Sequence, residues 1–596
     1  MGKRGGGLML VMVFLLGVFL ARLPATIQAL SGRADWERAT AEVRELLERK
    51  YVEPVDGERL TRAAIEGMVD SLDDRYTQFI PPRDAEAFHK EIAREFVGIG
   101  AAINTADGWL TIISPIEASP ALAAGLAPGD RVEAIDGVST QGKSADECIK
   151  LLKGEPGTDV KLQISRLTGP FGDGAEPQRT RLEITVKRAE ITSPAVRGLR
   201  FLPERQQWDH VLDPAAGIGY IRLEQFTPSA GEEMVKAIEQ LKGQLPGGVK
   251  GLVLDLRDNG GGSLDVAVEI ADGFLDAGAI VSTRGRPGSN ARAMGFTAEQ
   301  GQWLPGVPLV VLVNSGSASA SEILAGALAE QSPPRALVVG TRTFGKGLVQ
   351  VVEPLVSVPG GMLKLTEQRY YLPSGRMIQR TDASDVWGID PSPGFRVSLE
   401  EGRELPLLLK RRWLEGVRRA DVPSPPPPAG LGEAKFADPA WLREDLGDAQ
   451  LALAVEAAQT RIATGAFPSR PDGSATADAQ STLSAERSML ERVHRRLLTD
   501  LRQVERRLET AESATAGAPT GSSPHGRKPL SLWDDTLDLR GGTLEVRGAD
   551  GRPVTRLRIT GPELESLLLE ADIEPADGQA EGKTGQQAQP TPEGDK

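Results

Sequence analysis

The chain has 596 residues, 40% of them hydrophobic, with 67 glycines, 42 prolines and a net charge of −14. Its length calls for about four domains, and the glycine and proline content implies many turns and at least one extended linker. The acidic balance disfavours a nucleic-acid binder, and no basic stripe with interleaved aromatics appears; the single cysteine, Cys148, excludes an intramolecular disulfide framework and a cysteine-rich metal site.

Residues 1–30 open with Met1-Gly-Lys-Arg, followed by glycines and the apolar stretch Leu8–Leu20. This pattern fits a cleaved signal peptide or an N-terminal membrane anchor. About 20 apolar residues are needed to cross a bilayer, reached only if Gly5–Ala21 and its flanks are counted. No clean small-x-small cleavage site follows, so both readings stay open. Either reading implies that the body is exported, released or tethered to the membrane.

Residues 31–92 form an N-terminal helical segment, with helix-spaced stripes at Trp36, Val43, Leu46 and Leu47 and at Leu60, Ala64, Met68 and Leu72. Residues 93–190 change to short strands separated by glycine turns. Residues 191–412 alternate strands with helices, an α/β pattern: strands at Gly219–Leu223, Gly251–Leu256, Leu309–Asn314 and Ala336–Gly340, helices at Ala230–Leu241, Val266–Leu275 and Ser321–Glu330. Residues 413–435 hold the proline run Pro423–Pro428, a stiff spacer and expected domain boundary. Residues 436–515 contain two helices, Trp441–Ala463 and Ser484–Ala511. The second carries Leu483, Leu490, Leu497 and Val504 every seven residues, but its d positions are not consistently apolar, which favours a helical hairpin over a coiled coil. Residues 516–572 read as a small α/β segment, with a strand–Ala-Asp-Gly–strand pattern in 543–560 and a short helix at Pro562–Glu570. Residues 573–596 form an acidic tail expected to be disordered.

The chemistry concentrates after the buried strand Leu309–Val313, in Asn314-Ser-Gly-Ser-Ala-Ser-Ala-Ser-Glu322. Small hydroxyl residues make a poor core and a good place for a nucleophile. A serine needs a base, and the four histidines, His89, His210, His494 and His525, all lie far from this run in sequence. A lysine on the glycine turn Phe344-Gly-Lys-Gly347 can lose its proton by desolvation and take that role. Composition does not choose among Ser317, Ser319 and Ser321. Gly340-Thr-Arg-Thr-Phe-Gly-Lys346 also fits seven positions of a phosphate-binding loop. However, Gly347 stands where magnesium needs a hydroxyl, and a β-run replaces the helix that would hold phosphate. Upstream, Gly251-Leu-Val-Leu-Asp-Leu-Arg-Asp-Asn-Gly-Gly-Gly262 ends a strand in a glycine loop whose amides are placed to stabilise an oxyanion.

The run Gly125-Leu-Ala-Pro-Gly-Asp-Arg-Val-Glu-Ala-Ile-Asp-Gly137 resembles the signature of a PDZ domain. The resemblance places a peptide-carboxylate loop at Gly98, Ile99 and Gly100 within Phe96–Gly100, and a groove-lining helix at Ser144–Leu152. Together with Leu72-Asp-Asp-Arg-Tyr76, Asp255–Gly262, Gly316–Glu322, Thr343-Phe-Gly-Lys-Gly347 with Gln350, and Leu372-Pro-Ser-Gly-Arg-Met-Ile-Gln379, these runs stand in the order of one family. Over residues 35–395 the chain resembles the C-terminal (tail-specific) processing proteases, Ser/Lys endopeptidases with an inserted PDZ domain.

The resemblance implies a multidomain α/β protein with a crotonase-like protease core, a β-rich PDZ domain and a C-terminal helical extension. It implies Ser319 as nucleophile, Lys346 as general base, Gln350 as its orienting partner, and Ala320 with Gly261 as oxyanion donors. No metal or organic cofactor is implied; the expected partners are proteins with accessible C-terminal tails. If residues 346–350 are a strand, positions 346 and 350 share a face. The alternative is a catalytically silent PDZ adaptor.

Three departures stand out. The interval from Ser319 to Lys346 is two residues longer than in the family, with Ser332-Pro-Pro-Arg335 as the apparent insertion, expected in a surface loop. The closing Gly-Ile-x-Pro-Asp motif reads Gly388-Ile-Asp-Pro-Ser392, which puts that edge in question. Beyond about residue 415 nothing matches, leaving an oligomerisation arm, an adaptor-binding arm or a spacer.

Overall fold

The strand Leu309–Val313 is apolar throughout, and Gly251–Asp255 is apolar up to its closing aspartate; every residue of both is buried. Such runs fit a parallel sheet covered on both faces. In the computed structural model, Ile218–Leu223, Gly251–Asp255, Leu309–Val313 and Ala336–Gly340 lie side by side, all parallel. Their side chains alternate between two cores. Leu252, Leu254, Leu309 and Val311 pack under the helices Ala230–Gln244, Leu264–Phe274 and Ala320–Ala329, whereas Val253, Val310, Leu312 and Val339 face the opposite layer. The structure describes residues 35–168, 178–288, 292–299, 303–381, 384–399, 402–423, 425–428 and 431–470, with the backbone of three later strands.

The opposite layer corrects the expected boundary at the prolines. Leu407, Leu414, Leu431, Phe436, Trp441, Leu446 and the helix Ala449–Thr464 close the second face of the sheet. They are part of the protease core and not of a domain beyond the prolines. The proline stretch is not a free spacer either: Trp413 Nε1 donates to Pro425 O (3.2 Å), and the Pro425 ring sits against Gly129 of the PDZ-like segment. Val417 donates to Ser114 Oγ (2.9 Å) and buries its side chain among Leu122, Phe201 and Trp208. The expected helix Ser484–Ala511, the short helix Pro562–Glu570, residues 1–30 and the acidic tail beyond Pro575 lie outside the described residues; the first three residues of the tail, expected to be disordered, are a strand, Ile573–Pro575.

A second sheet carries Gln78–Ile80, Met362–Tyr371, Ala279–Gly285 and Met294–Thr297, with Leu348–Pro354 also pairing to Met362–Tyr371. The end of the N-terminal segment is thus an edge strand of the protease core. Before it, the helices Trp36–Lys50 and Gly57–Asp70 form as their stripes predict, capped by Asp35 and Asp56, yet none of their residues is buried. The PDZ-like segment folds as a five-strand path from Ala101–Ala106 to Arg179–Lys187, with the helix Ala145–Leu152 packed on it. Ala101–Ala106 is an edge strand, paired on one side only. In a separate unit, Thr543–Arg547, Pro553–Ile559 and Ile573–Pro575 form a small antiparallel sheet.

The Ser332–Arg335 insertion is a surface loop, as expected, and Arg335 pins its end to the carbonyls of Phe274, Leu304 and Val307. The edge at Gly388–Ser392 closes in spite of its altered last residue: Ser392 exchanges hydrogen bonds with Val338, and Asp390 pairs with Arg342 (2.7 Å).

The catalytic-side loop after Gly251–Asp255 is anchored by a buried charge cluster. Arg257 binds Asp255 (2.7 Å) and Asp448 (2.8 Å), both carboxylates fully buried, and also Gln450 (3.1 Å). Removing one partner of a buried pair leaves an uncompensated charge. Arg257→Ala should therefore lower the unfolding free energy by about 3–5 kcal/mol in urea titration; a change below about 1 kcal/mol would mean that the two carboxylates find other partners.

Candidate active site

The strand Leu309–Val313 delivers the chain into a turn that ends at Ser319, the residue before the helix Ala320–Ala329. Ser319 has φ +57° and ψ −114°, a conformation costly for a residue with a Cβ and concentrated at functional sites. A strained strand-to-helix turn of this kind lifts a serine hydroxyl out of the fold. Of the three candidate serines, Ser317 and Ser321 are fully buried, with hydroxyls donating to Leu256 O (2.7 Å) and Asn259 O (2.8 Å). Ser319 is half-buried, and its hydroxyl donates no hydrogen bond among the described residues. The geometry thus separates three residues that composition leaves equivalent.

Glu322, one helical turn on, is the group that sequence reasoning missed. Its buried carboxylate accepts from the N–H of Ser319 (2.8 Å), Gly345 (2.7 Å) and Lys346 (2.9 Å), and from the Thr343 hydroxyl (2.6 Å). Burial pushes its pKa up to about 7, against the pull of these four donors. A single carboxylate therefore fastens the serine turn to the lysine turn. Tyr370 makes a second tie, its buried hydroxyl lying between the carbonyl oxygens of Ser319 (3.2 Å) and Lys346. The visible signal was an acidic residue after a run of small ones; its partners on the lysine turn lie 21–24 residues downstream.

Lys346 lies in the loop before the strand Leu348–Pro354, on a turn braced by Gln379, which accepts from Gly347 N (2.9 Å). Burial holds its pKa below the usual lysine value, helped by Lys364 and Arg75 and opposed by Glu322 and Asp74. Among the described residues no hydrogen bond joins its amine to Ser319 or Gln350; the amine lies over the ring of Tyr76, 4.6 Å from the centroid. Gln350 donates instead to Thr366 Oγ1 (3.4 Å). The expected shared face fails for two reasons: the strand begins only at Leu348, and a register shift falls between Val349 and Gln350. The described histidines are elsewhere: His89 is in the helix Pro82–Ala93, and His210 is buried with its ring against Tyr220 O.

The glycine loop meets the serine turn at Gly261. With φ +104°, a Cβ there would lie 2.8 Å from Ala318 O and 2.9 Å from Ser319 Cβ, so only glycine fits. Its N–H, expected to face an oxyanion, donates to Asn259 Oδ1 (2.9 Å) and is committed. Among the described residues the N–H groups of Gly260, Gly262 and Ala320 have no partner. In the PDZ-like segment, Gly98, Ile99 and Gly100 are buried, and the N–H groups of Ile99 and Gly100 likewise donate to nothing described. They sit at the head of the open edge strand Ala101–Ala106.

The fold and the half-buried serine on its strained turn define a serine peptidase that carries a PDZ domain. Family models agree: residues 217–392 match peptidase family S41, 111–166 match a PDZ domain, and 28–83 match the activating protease CtpB N-terminal domain. The carboxy-terminal-processing protease of Bartonella bacilliformis is 34% identical over 474 residues, covering 78% of this chain and 98% of that protein. Carboxy-terminal processing protease CtpB of Bacillus subtilis is 34% identical over 373 residues, 62% of this chain and 70% of the relative. A solved photosystem II D1 C-terminal processing protease is 31% identical, covering 60% of this chain and 86% of that one, with a TM-score of 0.34. The chain belongs to the carboxy-terminal processing proteases of peptidase family S41.

The Glu322 tie carries a direct test. Glu322→Gln would turn an amide NH₂ either toward the Gly345 N–H or toward those of Ser319 and Lys346, donors that cannot accept, and so would loosen the tie. Peptidase kcat should fall on the order of 100-fold, as for a misplaced catalytic group, while circular dichroism stays native. A kcat within about twofold of the parent, on the same scale, would remove Glu322 from the account.

Proposed function

We propose that this peptidase cuts proteins near their C-termini by a Ser/Lys mechanism. Ser319 attacks the scissile carbonyl while neutral Lys346 accepts its proton. Lysine then protonates the leaving amine, and water repeats the cycle on the acyl-enzyme. The oxyanion is held by the Ala320 N–H and by an amide of the 260–262 loop other than that of Gly261. The observation that carries this reading is the common anchor at Glu322, which binds the backbone of both the strained serine and the desolvated lysine. Ser319 and Lys346 closing to hydrogen-bond distance, with Gln350 turning from Thr366 to the amine, belongs to the substrate-bound state, since catalytic hydrogen bonds often tighten only there.

Tail capture falls to the PDZ domain. An extended tail adds to the open edge of Ala101–Ala106, against the helix Ala145–Leu152, with its carboxylate on the unpartnered amides of Ile99 and Gly100. The apolar stretch Leu8–Leu20 supports export to the cell envelope, with a membrane tether if it is retained. Self-association or adaptor binding beyond residue 470 belongs to the same proposal. The silent-adaptor reading draws on Lys346 resting on Tyr76, away from Ser319, and predicts tail binding without cleavage.

Ser319→Ala and Lys346→Ala should each abolish cleavage of an unstructured tailed reporter, and amidating the reporter's C-terminus should slow the parent enzyme strongly. Activity surviving in Lys346→Ala would eliminate the Ser/Lys mechanism; equal rates on free and amidated tails would eliminate tail capture. The pH dependence has a definite sign. The working form of Lys346 is the free amine, so kcat/KM rises with pH through its lowered pKa, and Lys364 is a like charge that helps lower it. Lys364→Met should move that acid limb to higher pH; an unmoved or lowered limb would contradict Lys346 as base.

A further inference from the structure

The run Leu72-Asp-Asp-Arg-Tyr76 has no role in the chemistry described so far. It lies before the peptidase domain in sequence, yet the turn it forms reaches both flanks of the lysine. On one side, the Tyr76 ring lies beneath the Lys346 amine, 4.6 Å from centroid to Nζ. The Arg75 guanidinium also lies over this ring, 4.9 Å from its centroid, donates to the Tyr76 hydroxyl (2.8 Å), and covers Phe344, next but one to the lysine. On the other side, Asp74 accepts from the Thr77 hydroxyl (2.6 Å), Thr77 Oγ1 accepts from Thr366 N (3.1 Å), and Thr366 Oγ1 accepts from Gln350. The strand that follows, Gln78–Ile80, is zipped to Met362–Tyr371 in register, Gln78 opposite Lys364. This pairing fixes the turn against the strand that carries Thr366, Lys364 and Tyr370.

We infer that the Leu72–Thr77 turn is the floor of the active site and that Tyr76 is a positioning residue for Lys346, its ring face carrying the amine between catalytic cycles. The argument is one of charge and place. A half-buried ammonium with no carboxylate or carbonyl partner among the described residues is costly, and the negative face of an aromatic ring is the contact that offsets this cost. The other groups facing the amine are Lys364 on the paired strand, Glu322 on the serine helix, and Asp74 and Arg75 on the turn itself, a balanced set of two cations and two carboxylates. The ring favours the charged form, so it acts against the desolvation that frees the base. It also limits where the amine can rest while the site is empty. This inference rests on Lys346 being the base only for its catalytic consequence; the contact itself is read independently.

The test is NMR titration of the lysine side chains in full-length Ser319→Ala protein labelled at lysine Cε and Nζ, with the Lys346 signal assigned by its loss in Lys346→Arg. Tyr76→Phe keeps the ring and should leave the Lys346 midpoint in place. Tyr76→Leu keeps the bulk, loses the quadrupole, and should lower the midpoint by about half a pH unit or more. If Tyr76→Leu does not fold, mono- to pentafluorinated phenylalanine at position 76 keeps the shape and should lower the midpoint in steps. In the Ser319-containing enzyme, Tyr76→Leu should move the acid limb of kcat/KM to lower pH by the same amount. A midpoint that stays fixed across the series, or that rises because water enters, overturns the inference and leaves Tyr76 a space-filler. Failure of the base assignment would appear separately, as activity in Lys346→Ala.

Discussion

The active site depends on one buried carboxylate. A carboxylate removed from water costs several kcal/mol unless its lone pairs are met, and Glu322 meets its own with the backbone of the two turns that chemistry requires to be adjacent. The dependence is mutual. Without Glu322 those N–H groups would be orphaned in the same dry pocket, and without them the charge would not survive there. Tyr370 answers from the opposite direction, placing a hydroxyl between the two carbonyl oxygens. Donors and acceptors of both turns are thereby assigned, and neither turn can shift without breaking the other's bonds.

Around this point the fold supplies rigidity in layers. The parallel sheet sends alternate side chains into two cores, and the second core exists only because the chain returns past its prolines to lay Ala449–Thr464 across the sheet. The buried Arg257 cluster fastens that returning layer to the loop that ends at Gly260–Gly262. The C-terminal layer therefore reaches the glycine loop through a chain of charges, and the N-terminal strand Gln78–Ile80 reaches the lysine through a sheet edge. Segments that seem peripheral in sequence are structural neighbours of the site.

The α/β alternation, the PDZ-like module and the serine and lysine turns were legible in the residues, because glycine punctuation and apolar runs follow directly from backbone geometry. The choice of Ser319 was not. Its neighbours are chemically identical, and what separates them is burial and the carbonyls of Leu256 and Asn259, about sixty residues away in sequence. The failed pairing of Lys346 with Gln350 came from an irregular register that no local pattern announces. Gly261 was a sound choice of loop and a wrong choice of amide, decided by the Asn259 side chain. The helix Ala449–Thr464 carried a readable signal that was overlooked: Leu451 to Ala458 is apolar on nearly every side, the mark of a helix enclosed by protein rather than of one exposed in an arm.

Membership in the carboxy-terminal processing proteases places the chain in a class, and the geometry adds how its site is held together. If Glu322 makes the serine and lysine turns one unit, their contributions cannot be independent. The direct measurement is a double-mutant cycle on the rate of Ser319 acylation by a fluorophosphonate, comparing the parent, Glu322→Gln, Lys346→Ala and the double variant. The account predicts strong non-additivity, with Glu322→Gln costing almost nothing further once the lysine is gone. Additive losses would mean that the carboxylate supports the two turns separately, and would contradict it.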